Sequence, residues 1–125
     1  MTLMEAVENF DAQRANSVSI ERKIEWLSQL DYKISAEILE PRGEDAFKGY
    51  TEATPLPEKL RAPEEFGEIY SLYMNMKLDY MNGEIARYNN SVLLFNRMYK
   101  EMYDFMNRKK SVVRKNKIKA GDLLV

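Results

Sequence analysis

Apolar side chains return at steps of three and four residues along most of this chain, and that period commits those stretches to amphipathic helices. Leu3, Met4, Val7 and Phe10 open the pattern. Thr2-Leu3-Met4-Glu5 reads as a capping box ahead of them, predicting a first helix to about Gln13 that Asn16-Ser17 breaks. Ser19 is a good N-cap for a second helix, whose face is Ile20, Ile24, Leu27, Leu30 or Asp31, Ile34 and Ile38. Trp26 lies off the centre of that stripe, where it borders the core or meets a neighbour. Pro41 ends the helix, because proline disfavours helical geometry in the residue before it.

Residues 40–63 hold all four prolines and two of the five glycines, and they predict a long irregular stretch. Phe47, Tyr50, Leu56 and Leu60 give it apolar anchors, and residues 57–61 have room for one helical turn. Pro63 suits the first position of a further helix, with Glu64 and Glu65 at its positive end. Phe66, Ile69, Tyr73, Met76 and Tyr80 continue the helical period, as do Val92, Phe95, Tyr99, Met102, Phe105 and Met106. Between these runs, Asn89-Asn90 is the expected turn of a hairpin, since Gly83 alone costs a helix only about 1 kcal/mol against alanine. One continuous helix over 64–108 is the alternative. The expectation is an all-α bundle of about four helices (1–108), with a long central loop and an extended C-terminal arm (109–125).

Chemistry is limited by what is missing. The 125 residues include no histidine and no cysteine. Imidazole bases, thiolate nucleophiles and the usual zinc ligands are therefore absent, and so are the ordinary triads. No glycine run matches a phosphate loop. Glu84 and Arg87 stand one turn apart, which reads as a surface ion pair rather than a catalytic pair. Asp31, Glu37, Asp79 and Glu84 are the imaginable metal ligands, but their spacing fits no calcium loop, and neither a metal nor a cofactor is expected. No stretch of about 18 apolar residues predicts a membrane span. The start of the chain lacks the basic and apolar regions of a signal peptide.

The net charge of −1 conceals an asymmetry. Residues 1–65 carry 14 acidic and 8 basic side chains, residues 66–107 carry 5 and 4, and residues 108–125 carry 1 and 7. Arg108, Lys109, Lys110, Arg114, Lys115, Lys117 and Lys119 could face DNA. Val112, Val113, Ile118, Leu123, Leu124 and Val125 form no helical stripe and read as short extended pieces able to dock on a partner. A solvated, disordered end is the third reading. Tyrosine and methionine are abundant, at 8 each. Tyr70, Tyr73, Tyr80, Tyr88, Tyr99 and Tyr103 exceed what a small core can bury with satisfied hydroxyls. They either stay half-exposed or lie at subunit contacts.

Three segments carry a family resemblance: Lys23–Asp31 (KIEWLSQLD), Phe47–Leu56 (FKGYTEATPL) and Asp79–Ser91 (DYMNGEIARYNNS). Over about residues 1–108 the chain resembles small prophage proteins of Gram-positive bacteria encoded among head-assembly genes, which are similar to siphophage head–tail connector (adaptor) proteins. The resemblance implies a helical, non-enzymatic structural protein that forms a ring, commonly of twelve copies, on the portal protein. It implies an extended genome channel, a tail-side connector or stopper as second partner, a location at the head–tail interface of the virion, and assembly in the host cytoplasm. The C-terminal tail departs from the family pattern. A small nucleic-acid-binding regulatory protein, gripping with that tail, is the alternative.

Overall fold

The computed structural model describes the backbone of residues 1–122 and the side chains of residues 1–108. The fold is all-α: α1 (Leu3–Gln13), α2 (Ile20–Ile34), α3 (Ile69–Met81) and α4 (Ile85–Asp122). Among the described residues there is no strand, only an isolated antiparallel bridge between Thr2 and Lys59.

The first two helices start where their caps predict. Thr2 Oγ1 accepts from the Glu5 amide at 3.2 Å, and Ser19 Oγ from the Arg22 amide at 3.2 Å. Past Ile34 the second helix widens into one π turn, Ser35–Leu39, then tightens into a 3₁₀ turn, Glu40–Arg42. That change of pitch keeps Ile34, Ile38 and Leu39 all buried. Gly43, at φ +91°, then turns the chain in a conformation that suits glycine.

The central loop folds back onto the bundle. Phe47, Tyr50 and Leu60 are buried, and the amides of Phe47 and Tyr50 donate to Ser35 Oγ (3.1 Å) and Ser28 Oγ (3.0 Å) on the helix they cover. Residues 57–61 make no helical turn. They run beside the chain start, with Leu3 N donating to Glu58 O at 3.0 Å and Leu60 N to Met1 O at 2.9 Å. The Met1 ammonium group pairs with Glu64. Pro63 precedes a short 3₁₀ turn, Glu64–Phe66, and α3 begins only at Ile69.

Helices α3 and α4 form the expected hairpin, but the turn is at Asn82–Glu84 rather than at Asn89-Asn90. Gly83 there takes φ +68°. A left-handed residue reverses a helix far more effectively than low propensity does, and asparagines 89 and 90 sit inside α4. Leu3 and Phe10 of α1, Leu27, Leu30 and Ile34 of α2, Ile69 and Met74 of α3, and Met102 of α4 meet in one core. Trp26 belongs to it, at 4% exposure.

The C-terminal arm corrects the expectation of extended pieces. The backbone at Val112, Val113 and Ile118 is helical, as α4 continues to Asp122. Extending a helix costs little once it has been nucleated, and lysine, arginine and alanine propagate it well without an apolar stripe.

Candidate functional site

The residues expected to carry function divide at Arg108, which is exposed. Beyond it, Lys109, Lys110, Arg114, Lys115, Lys117 and Lys119 lie on the helical backbone of α4. Leu123, Leu124 and Val125 lie outside the described residues. At 1.5 Å per residue, α4 measures about 57 Å from Ile85 to Asp122. Phe105 stands against Phe66, just ahead of α3, with ring centroids 5.3 Å apart. About 25 Å of α4 follows Phe105, and it holds all seven basic residues of the chain end.

Inside the bundle, one carboxylate fastens the loop to the helices. Asp31 is fully buried on α2. Its Oδ2 accepts from Tyr50 Oη (2.5 Å) and the Arg61 amide (3.1 Å), and its Oδ1 accepts from Tyr70 Oη (2.7 Å). Tyr70 Oη in turn accepts from the Ala62 amide at 2.7 Å. Burial pushes the Asp31 pKa above its ordinary value, against the opposing pull of these hydrogen bonds. Burial beside the carboxylate also raises both tyrosine pKa values. Because solvent does not reach Asp31, the arrangement ties chain to chain and offers no reacting atom to a substrate. The sequence placed Asp31 on the apolar stripe and among imaginable metal ligands. A carboxylate in a core position, with tyrosines at 50 and 70, was the available signal for a buried tie.

A second cluster closes the hairpin. Arg14, just past α1, reaches Asp79 Oδ1 at 2.6 Å and Glu84 at 3.7 Å. The Ser91 hydroxyl donates to the other Asp79 oxygen at 2.6 Å. Asp79 is 1% exposed, and Arg14 is the counter-ion it meets in the interior. Glu84 and Arg87 pair across one turn at 3.2 Å on the surface. Glu37 engages Lys33 (2.8 Å) and the Tyr99 hydroxyl (3.2 Å). Of the four acidic residues considered as ligands, Asp79 and Glu84 share Arg14, while Asp31 and Glu37 are each held in contacts of their own. Among the described residues, no group of three or more acidic, histidine or cysteine side chains could hold a metal ion. No helix there is long and apolar enough to cross a membrane.

The tyrosines separate by environment. Tyr70 is fully buried, and Tyr73 is 9% exposed with its hydroxyl 3.1 Å from Gln29 Oε1. Tyr80 is 73% exposed, and near it at the hairpin tip Met81 and Ile85 are exposed by 55% and 72%; Leu93, further along α4, is exposed by 65%. On the outer side of α2, a groove of about 530 Å³ runs between that helix and loop residues 50–52. Glu21, Glu25, Glu52 and Tyr32 line it, with Arg22.

No family model, no curated protein and no solved structure matches this chain.

Proposed function

We propose that this chain is a structural adaptor of a phage head–tail connector, forming a ring on the portal protein that extends the DNA channel and joins head to tail. The reading assigns no catalysis and no cofactor. The observation that carries it is the division of the chain into an acidic, well-packed helical body and a long helix ending in concentrated positive charge. In this reading the body makes the lateral contacts of a homo-oligomeric, dodecameric ring. The arm reaches the portal, and the opposite side meets a tail-side connector or stopper. Some of the lysines and arginines of the arm supply non-specific contact with packaged DNA, which suffices where the genome slides and is not read. Such a protein works at the head–tail interface of the virion after assembly in the host cytoplasm. The resemblance of residues 23–31, 47–56 and 79–91 to prophage head-assembly proteins supports the same reading.

Removal of residues 109–125 tests it in assembling particles. The expected result is heads and tails that no longer join, and normal joining would overturn the arm's role. The basic arm also favours a second reading, a small nucleic-acid-binding regulator. That reading requires the isolated protein to bind DNA with log K falling by roughly 0.9 per phosphate contact for each decade of salt.

A further inference from the structure

The groove on α2 has a charge that its own surroundings leave unmatched. Glu21, Glu25 and Glu52 line it, against Arg22 as the basic residue. Arg22 already stands 3.9 Å from Glu25. Among the described residues Glu21 and Glu52 have no ion-pair partner. The groove also has an apolar wall: Tyr32 lines it at 48% exposure, its ring held edge-on against Phe47 with centroids 4.8 Å apart. An acidic channel with an aromatic side suits a basic segment carrying occasional apolar residues.

Arg108–Lys119 has that composition, with seven basic and no acidic residues, interrupted by Val112, Val113 and Ile118. This stretch belongs to a helix that runs unbroken from Ile85 to Asp122. A helix without a break cannot fold back around its own body, so the complementary groove is met on another molecule. We infer that the basic stretch Arg108–Lys119 of one copy docks in the α2–loop groove of a neighbouring copy. The inference rests on the ring reading and adds the arm to the lateral contacts that the body makes there. Arm and groove are different surfaces of one chain, so the contact is heterologous, and such contacts form a ring where the rotation between copies closes and a filament where it does not.

The chain contains no cysteine, so introduced cysteines report without background. Full-length Arg22→Cys protein is mixed with full-length Lys117→Cys protein and oxidised, with helical circular dichroism confirming that both fold. The expected result is a covalent dimer containing one chain of each kind, and a ladder of multimers from the chain carrying both substitutions. Neither product should form when the oxidation is run near 0.5 M salt, because the Debye length falls from about 10 Å at 0.1 M to about 3 Å at 1 M. In a second readout, Glu21→Lys with Glu52→Lys weakens self-association of the cysteine-free chain in native mass spectrometry. An internally cross-linked monomer from the double-cysteine chain overturns docking between copies. Absence of cross-links in a protein that still forms rings overturns the groove while leaving the ring reading intact. A protein that stays monomeric and uncross-linked overturns this inference, and the particle assay then judges the ring reading separately.

Discussion

Replacing Asp31 by alanine should destabilise the protein by about 3–5 kcal/mol, a large share of the roughly 5–15 kcal/mol that holds a domain folded. The magnitude follows from three donors. Tyr50 Oη at 2.5 Å, Tyr70 Oη at 2.7 Å and the Arg61 amide at 3.1 Å all lose their acceptor. Each buried donor left unmet costs about 1–3 kcal/mol. Part of the total is offset because the variant no longer has a carboxylate to desolvate. Tyr50→Phe removes one donor and leaves Asp31 with two, so it should cost about 1–2 kcal/mol. The two changes share one interaction, and their combined cost should fall short of the sum by about 1 kcal/mol or more. Urea denaturation at pH 7 measures all three variants. Circular dichroism follows the helices, and the single tryptophan, Trp26, reports from within the core on the same helix as Asp31. A loss below about 1 kcal/mol for Asp31→Ala, or strictly additive penalties, would refute the idea that this carboxylate fastens the loop.

Other expectations are open to similar measurement. Burial holds the Asp31 pKa above 3.8, so the folded state binds this proton more tightly than the unfolded chain. That contribution is complete below 3.8 and is lost as pH rises through the raised value. The margin of wild type over Asp31→Asn should therefore shrink as pH rises above 3.8, and a margin that grows would show the shift to have the opposite sign. Arg14→Ala leaves Asp79 buried without its counter-ion and should cost about 3 kcal/mol in thermal or urea melts, with Asp79→Leu in the same chain recovering much of the loss. Gly43→Ala, with open space around the added carbon, should cost about 1–2 kcal/mol from its positive φ alone. Gly49→Ala should cost more, because its added carbon would also stand 2.6 Å from the Tyr32 hydroxyl oxygen.

What could be read from the residues was what depends on neighbours in sequence. Thr2 and Ser19 cap where they should because a cap needs only the next three residues. The apolar stripes of α1 to α4 were legible for the same reason. The turn at Gly83 was misplaced because propensity prices a glycine within a helix, whereas here it takes a left-handed conformation that ends one. Trp26 lay off its helix's stripe, and its burial comes from elements brought over it by the fold, which no period along one helix reveals. Asp31 stood on the stripe as a polar exception. Its partners at positions 50, 61 and 70 are brought to it only by the path of the loop. The C-terminal arm was read as extended because it lacks an apolar stripe, yet the backbone continues the helix that precedes it.

The pairing of the chain start with residues 56–60 also has a consequence for synthesis. Leu3 and Met4 donate their amides to Glu58 and Leu56, and α1 packs on α3. Helix α1 is thus made well before the residues it packs against. At roughly 5–20 residues per second, several seconds pass before its partners are made. During that interval Leu3, Val7 and Phe10 present an unpaired apolar face in the cell, so the nascent chain, more than the finished protein, is what a chaperone would recognise.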